Sequence, residues 1–213
     1  MRKLKKHQVK PFRFKPFSPK QLRLLYWWCE GSPYKDYDIV LADGAIRSGK
    51  TIAMICSFLR WSQSEFKDEA FIIAGKSVGA LKRNVIKPML QILEAWGWKY
   101  DYNRSENYIT IGTNTYYLFG ANNEASQDVL QGLTAAGALA DEVALFPQSF
   151  VDQMIGRCSV EGAKVFMNCN PRGPYHYIKL EFIDKAKEKR IYYLHFTMDD
   201  DLSLSAQIKE RFR

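Results

Sequence analysis

The chain has 213 residues, 46% hydrophobic and 25% charged, a globular balance with length for one sizeable core and no apolar stretch long enough to cross a bilayer. Its 31 Lys and Arg outnumber 23 Asp and Glu, and the resulting net charge of +8 suits an acidic partner such as nucleic acid, although a soluble protein can also be basic without one. The four cysteines, Cys29, Cys56, Cys158 and Cys169, form no close pair and are accompanied by only three histidines, which argues against a zinc site or a disulfide framework and for reduced thiols in an intracellular protein.

Residues 1–17 are basic, with Phe12, Phe14 and Phe17 among the lysines and arginines. They read as an arm outside the core that touches DNA phosphates, a protein partner or nothing. No apolar signal segment follows Met1–Lys10, so a cytoplasmic location is expected. Ser18-Pro19 is a helix start, a cap followed by a first-turn proline, and the helix is expected to carry Leu22, Leu24, Leu25, Trp27 and Trp28 and to end near Gly31. A strand over 38–43 then runs into a glycine loop, followed by a helix over 51–66, a buried strand over 70–75, and a helix over 78–96 disturbed at Pro88. Residues 108–111 and 116–119 form a hairpin around Gly112-Thr113-Asn114. Short strands over 136–141 and 164–168 are each followed by a helix, and 192–196 is the last strand. Trp27, Trp28, Trp96 and Trp98 read as core residues, and Asp199-Asp200-Asp201 as a solvated turn. Repeated strand–helix units predict an α/β domain over 18–196, with a mostly parallel central sheet and helices on both faces.

Gly44-Ala45-Ile46-Arg47-Ser48-Gly49-Lys50-Thr51 fits Gly-x-x-x-x-Gly-Lys-Thr between a strand and a helix. The glycines let backbone N–H groups turn inward around phosphate oxygens at a helix amino end, which is the design of a P-loop nucleotide site. Lys50 is placed to reach the β- and γ-phosphates, and the Thr51 hydroxyl to ligate Mg²⁺. Arg47 either points to solvent or lies against the γ-phosphate and stabilises transition-state charge. The apolar run Ala136–Ala140 ends in Asp141-Glu142 at a sheet edge where α/β ligands bind. There Asp141 is expected to hold Mg²⁺ through water, and Glu142 to orient and deprotonate the attacking water. The strand over 164–168 runs into Asn168-Cys169-Asn170-Pro171. Asn170 either senses the γ-phosphate or only shapes the turn before Pro171.

Together these stretches resemble the ATPase domain of tailed-bacteriophage terminase large subunits, the DNA-packaging motors. Gly44–Thr51 is similar to the family's Walker A loop, including its internal arginine. Gln131-Gly132-Leu133-Thr134 with Ala138–Glu142 resembles the Walker B region and catalytic glutamate. The stretch from Asn168 to His176 resembles the asparagine-proline coupling motif, which places Asn168 and Asn170 by the nucleotide, and Phe17-Ser18-Pro19-Lys20-Gln21 resembles the adenine-reading segment, which gives Gln21 the base edge. The resemblance implies ATP and Mg²⁺ as cofactors and double-stranded DNA, a portal protein and a small terminase subunit as partners. It also implies a ring of subunits and a place in the cytoplasm of an infected bacterium. Residues 197–213 resemble the segment just before a ribonuclease-H-like nuclease domain, so no nuclease activity is expected from this chain. Some members carry an arginine acting in trans where this sequence has Gln131, which leaves Arg104, Arg157 and Arg172 as candidates. A helicase-like motor is the alternative, but it needs a second motor domain. A non-hydrolysing nucleotide scaffold is the other, and it has no need of Glu142.

Overall fold

A computed structural model of the chain describes residues 9–211 except Ile46, Asn123 and Pro171, so residues 1–8 of the basic stretch, Ile46 of the glycine loop and Pro171 of the asparagine-proline stretch lie outside the described residues. Eight strands form one sheet: β1 (Ile39–Gly44), β2 (Ala70–Gly75), β3 (Tyr100–Asn103), β4 (Tyr108–Ile111), β5 (Asn114–Gly120), β6 (Gly137–Ala140), β7 (Lys164–Asn168) and β8 (Ile191–Phe196). Their order across the sheet is β3-β4-β5-β2-β6-β7-β1-β8. The run from β5 to β8 is parallel, and β3 and β4 extend it antiparallel.

The parallel strands are apolar runs because both of their faces are covered. One face carries α1 (Pro19–Tyr26), α2 (Lys50–Glu65), a short α3 (Val78–Leu81) and α4 (Lys87–Trp96), with Trp27, Phe58, Trp61, Phe71 and Phe166 in the core beneath them. The other face packs Phe150, Val151 and Met154 of α5 (Gln148–Arg157) and Ile178 and Phe182 of a π-helical segment (Ile178–Ile183) against Leu41, Ile72, Ala138 and Met167. A short helix, α6 (Ala206–Arg211), closes the described chain.

Several elements differ from expectation for identifiable reasons. The helix begun at Ser18 stops at Tyr26 instead of near Gly31, and residues 27–31 are turns. The expected disturbance at Pro88 lies in the turn just before it: Lys82–Ile86 is π-helical, and the N–H of Lys87 donates to the carbonyl of Lys82. Proline lacks an N–H and its ring crowds the carbonyl four residues back, and a wider turn relieves both. The edge strand β3 was not expected, since its Tyr-Asp-Tyr-Asn offers only two large rings in four residues. Residues 9–17 are also no free arm. The Phe12 N–H donates to the Gln91 carbonyl at 2.9 Å, Phe14 stacks on Trp96, and Val9, Phe12 and Phe17 pack against the main core. Three phenylalanines in six residues bury more apolar surface this way than a solvated arm allows. The four tryptophans do lie in or against that core.

Candidate active site

β1 ends on Gly44 at φ +123°, and an added Cβ would sit 1.9 Å from the Phe196 carbonyl oxygen of β8, so only glycine fits the start of the loop. The loop then takes two left-handed residues, Arg47 at φ 62° and Gly49 at φ 74°, before α2 begins at Lys50. The second turn aims the free N–H groups of the helix amino end back at the loop's concave side. Lys50 is almost fully buried, and its ammonium donates to the carbonyls of Gly44 (3.0 Å) and Ala45 (2.8 Å), to Ser48 Oγ (3.2 Å) and to Asn170 Oδ1 (3.3 Å). Burial pulls its pKa down, opposed by Cys169, Asp43, Asp141 and Glu142 around it.

The acids come from the neighbouring strands. β7 lies between β1 and β6, so Asn168 at its end stands beside both the loop and the end of β6. Asp141 Oδ1 accepts from the Thr51 hydroxyl at 3.3 Å and from Asn168 Nδ2 at 2.9 Å. The carbonyl oxygen of the same Asn168 amide accepts the backbone N–H of Glu142 at 3.1 Å, which holds Glu142 in a left-handed conformation at φ 58°. Non-glycine residues reach this region only when their surroundings enforce it, and they gather at functional sites. Burial raises the pKa of Asp141 against its hydrogen bonds from Asn168 and Thr51 and the Lys50 charge. Burial, and then the Asp141 charge, raise that of Glu142, while Lys50 and Arg172 lower it.

Lys50, Thr51, Asp141, Glu142, Asn168 and Asn170 therefore line one cavity of about 360 Å³, together with Arg47, Ser48 and Gly49 of the loop. Thr51 Oγ1 and Asp141 Oδ1 are adjacent hard oxygen donors, the kind that suit Mg²⁺, which keeps most of its shell as water and phosphate oxygen. Gln21 is buried rather than solvent-facing: its Oε1 accepts the Ser18 N–H at 2.9 Å in a capping box, and its Nε2 donates to the Ser48 carbonyl at 3.5 Å. It lies against Gly49, where an added Cβ would be 2.1 Å from Nε2. A second cavity of about 180 Å³ opens there, walled by residues 12–17, Gln21, Ile52 and Asp201.

No family model matches the sequence, and no curated protein does. Solved structures do. The large terminase of a thermophilic bacteriophage is 52% identical over 93% of this chain and 50% of its own, with a TM-score of 0.89. The chain belongs to the phage large-terminase family. It spans about half the length of that large terminase, other crystals of which hold ADP or ATP-gamma-S. The large terminase ATPase domain of Thermus phage P74-26 shares the fold at 14% identity, over 85% of this chain and 81% of its own, with a TM-score of 0.64. The HK97 bacteriophage large terminase does so at 15% identity, over 91% of this chain and 42% of its own, with a TM-score of 0.62. The terminase fold is that of a P-loop NTPase, and the parallel sheet with helices on both faces agrees with it.

Three features of this terminase chain escape a reading by motif. Asn84 of the π turn lines the cavity around Lys50, and Asp201 lines both cavities. The acid run is no freely solvated turn, because Asp200 pairs with Lys20 at 2.8 Å and accepts the Thr197 N–H. Behind the loop, buried Asp43 accepts from Tyr193 Oη at 2.9 Å and faces His195 Nδ1 at 2.8 Å, which ties β1 to β8. None of these has a spacing signature, since each depends on distant elements meeting. Of the arginines considered for a role in trans, Arg172 lies near enough to Glu142 to lower its pKa, while Arg104 lies over the Tyr102 ring.

Proposed function

We propose that this chain is the ATP-hydrolysing motor domain of a phage large terminase, driving double-stranded DNA into a procapsid. The observation that carries this reading is the convergence of a buried loop lysine, a Thr51–Asp141 oxygen pair and a strained Glu142 on one cavity. Bound Mg²⁺, held by Thr51 and by Asp141 directly or through water, would neutralise charge on the β- and γ-phosphates. Lys50 exchanges its carbonyl contacts for phosphate oxygens, and the backbone N–H groups of 47–51 cradle the rest, with Gly44, Ala45 and Ser48 shaping the loop. Glu142 accepts a proton from the attacking water, fixed in place by Asn168. Arg47, exposed on the loop, stabilises charge on the departing phosphoryl group. Asn170 already touches Lys50, so loss of the γ-phosphate is felt by the loop that follows it. Gln21 spends one lone pair and one N–H on the protein, and its remaining pair reads the base edge.

Residues 18–196 form the motor unit, and 197–213 lead toward a nuclease domain. The net charge of +8 suits a DNA partner. A portal, a small terminase subunit and further copies in a ring complete the working assembly in the host cytoplasm. Among the described residues no helix is long and apolar enough to cross a membrane.

Phosphate release and nucleotide binding, measured with Mg²⁺ and with or without linear double-stranded DNA, test the reading. Turnover by the wild type is expected, with loss of both turnover and tight binding in Lys50→Ala. Near-normal turnover in a folded Lys50→Ala protein would sink the assignment.

A further inference from the structure

We propose that Asp201 recognises the ribose of the bound nucleotide and makes the site select ribonucleoside over deoxyribonucleoside triphosphates. This rests on the ATP-binding reading above. The two cavities share Gly49, Ile52 and Asp201 as lining residues. Phosphates belong on the loop side. The other side, walled by Phe12, Phe14, Phe17 and Ile52, suits a flat aromatic base. The sugar joins base to phosphates covalently, so it must lie where the cavities meet. Of the three residues lining both, Gly49 has no side chain, Ile52 is apolar and Asp201 carries a carboxylate.

The carboxylate is well placed and well held. Its Cγ lies 3.5 Å from where a Cβ on Gly49 would stand, against the loop. Oδ1 accepts one N–H, from Ser203 at 2.8 Å, and a carboxylate has about four acceptor sites. Two adjacent sugar hydroxyls are donors that match the remainder, and hydrogen bonds to an ionised acceptor are strong. Dinucleotide-binding folds use an acid on a ribose hydroxyl in the same way. The turn carrying Asp201 is anchored by Lys20 on Asp200, by the Asp201 N–H on the Met198 carbonyl, and by Lys15 on the Ser203 carbonyl. A negative side chain there repels phosphate and favours a neutral hydroxyl-bearing group.

Titration calorimetry with ATP, 2′-deoxyATP and 3′-deoxyATP in the presence of Mg²⁺ tests this. The wild type should bind ATP roughly tenfold or more tighter than either deoxy form, the worth of one charge-assisted bond. Asp201→Ala should bring all three within about twofold, weakening ATP, which loses two bonds, by about a hundredfold and each deoxy form, which loses one, by about tenfold. The ratio is read within one variant, so it is insensitive to the folded fraction. Should the alanine variant not fold, Asp201→Asn keeps an acceptor for the Ser203 N–H and should narrow the ratio by several-fold. Full discrimination retained in these variants, or ATP binding by the wild type with no ribose preference, would overturn the inference alone. No ATP binding by the wild type would overturn the nucleotide reading with it.

Discussion

Glu142 is held by its backbone. Its N–H is tied to Asn168, whose amide also holds Asp141, so one side chain orders both acids. Glu142→Gln keeps shape and that backbone bond but removes the carboxylate proposed above as the proton acceptor. Nucleotide affinity should stay within a few-fold of the wild type, while single-turnover hydrolysis falls about a hundredfold or more. An unchanged rate would mean that another group takes the proton. The cysteines make a contrasting case. Burial pushes the Cys56 and Cys169 thiols up to about 12, so at pH 8 only about one in ten thousand is thiolate. Iodoacetamide should label both far more slowly in the native protein than after denaturation, and labelling at the unfolded rate would contradict their packing. Cys169 lies next to Asn170 in sequence, yet its thiol is an inert neighbour of the site.

At the scale of elements, the parallel sheet leaves little slack where helices cross it. Gly137 opens β6, and an added Cβ would lie 2.5 Å from the Trp61 ring of α2 and 2.7 Å from the Lys164 carbonyl of β7. Neither a buried indole nor a paired backbone can retreat. Gly137→Ala should therefore cost about 1–3 kcal/mol, seen as a lower denaturant midpoint at unchanged slope, and an unaltered midpoint would show that the strand shifts freely. This packing also explains what was legible beforehand. Strands β2 and β7 were readable to the residue and β1 and β8 to within one, since burial on both faces requires continuous apolar runs. The loop and the acids after β6 were readable because phosphate chemistry demands those residue types close together in sequence. The polar edge strand β3, the π turn that presents Asn84 and the approach of Asp201 were not. Each is fixed by tertiary contact, and Asp201 lies 152 positions from the glycine it faces.

At the scale of the whole molecule, the question is what completes the site. Lys50, Thr51, Asp141 and Glu142 all belong to one chain, and the loop adds Arg47. Gln131, the position at which the family resemblance implies a trans-acting arginine in some members, donates its amide to the Asp128 carboxylate three residues back. A glutamine so engaged supplies no charge to a neighbour's nucleotide. If the assembly is a ring, a further cation comes from a neighbour's surface; Arg172 lies near enough to the Glu142 of its own chain to lower its pKa, which suits a role in cis and leaves Arg104 and Arg157 as the candidates in trans. A cation supplied in trans raises phosphoryl-transfer rates by on the order of a thousandfold, and a dilute monomer forfeits that gain. Specific ATPase activity should accordingly climb with protein concentration while sedimentation shows assembly. Mixing inactive Lys50→Ala subunits with the wild type should change the rate per wild-type subunit. A specific activity that is high and flat from nanomolar to micromolar protein would mean that this chain carries every catalytic group itself, with Arg47 as the cation that matters.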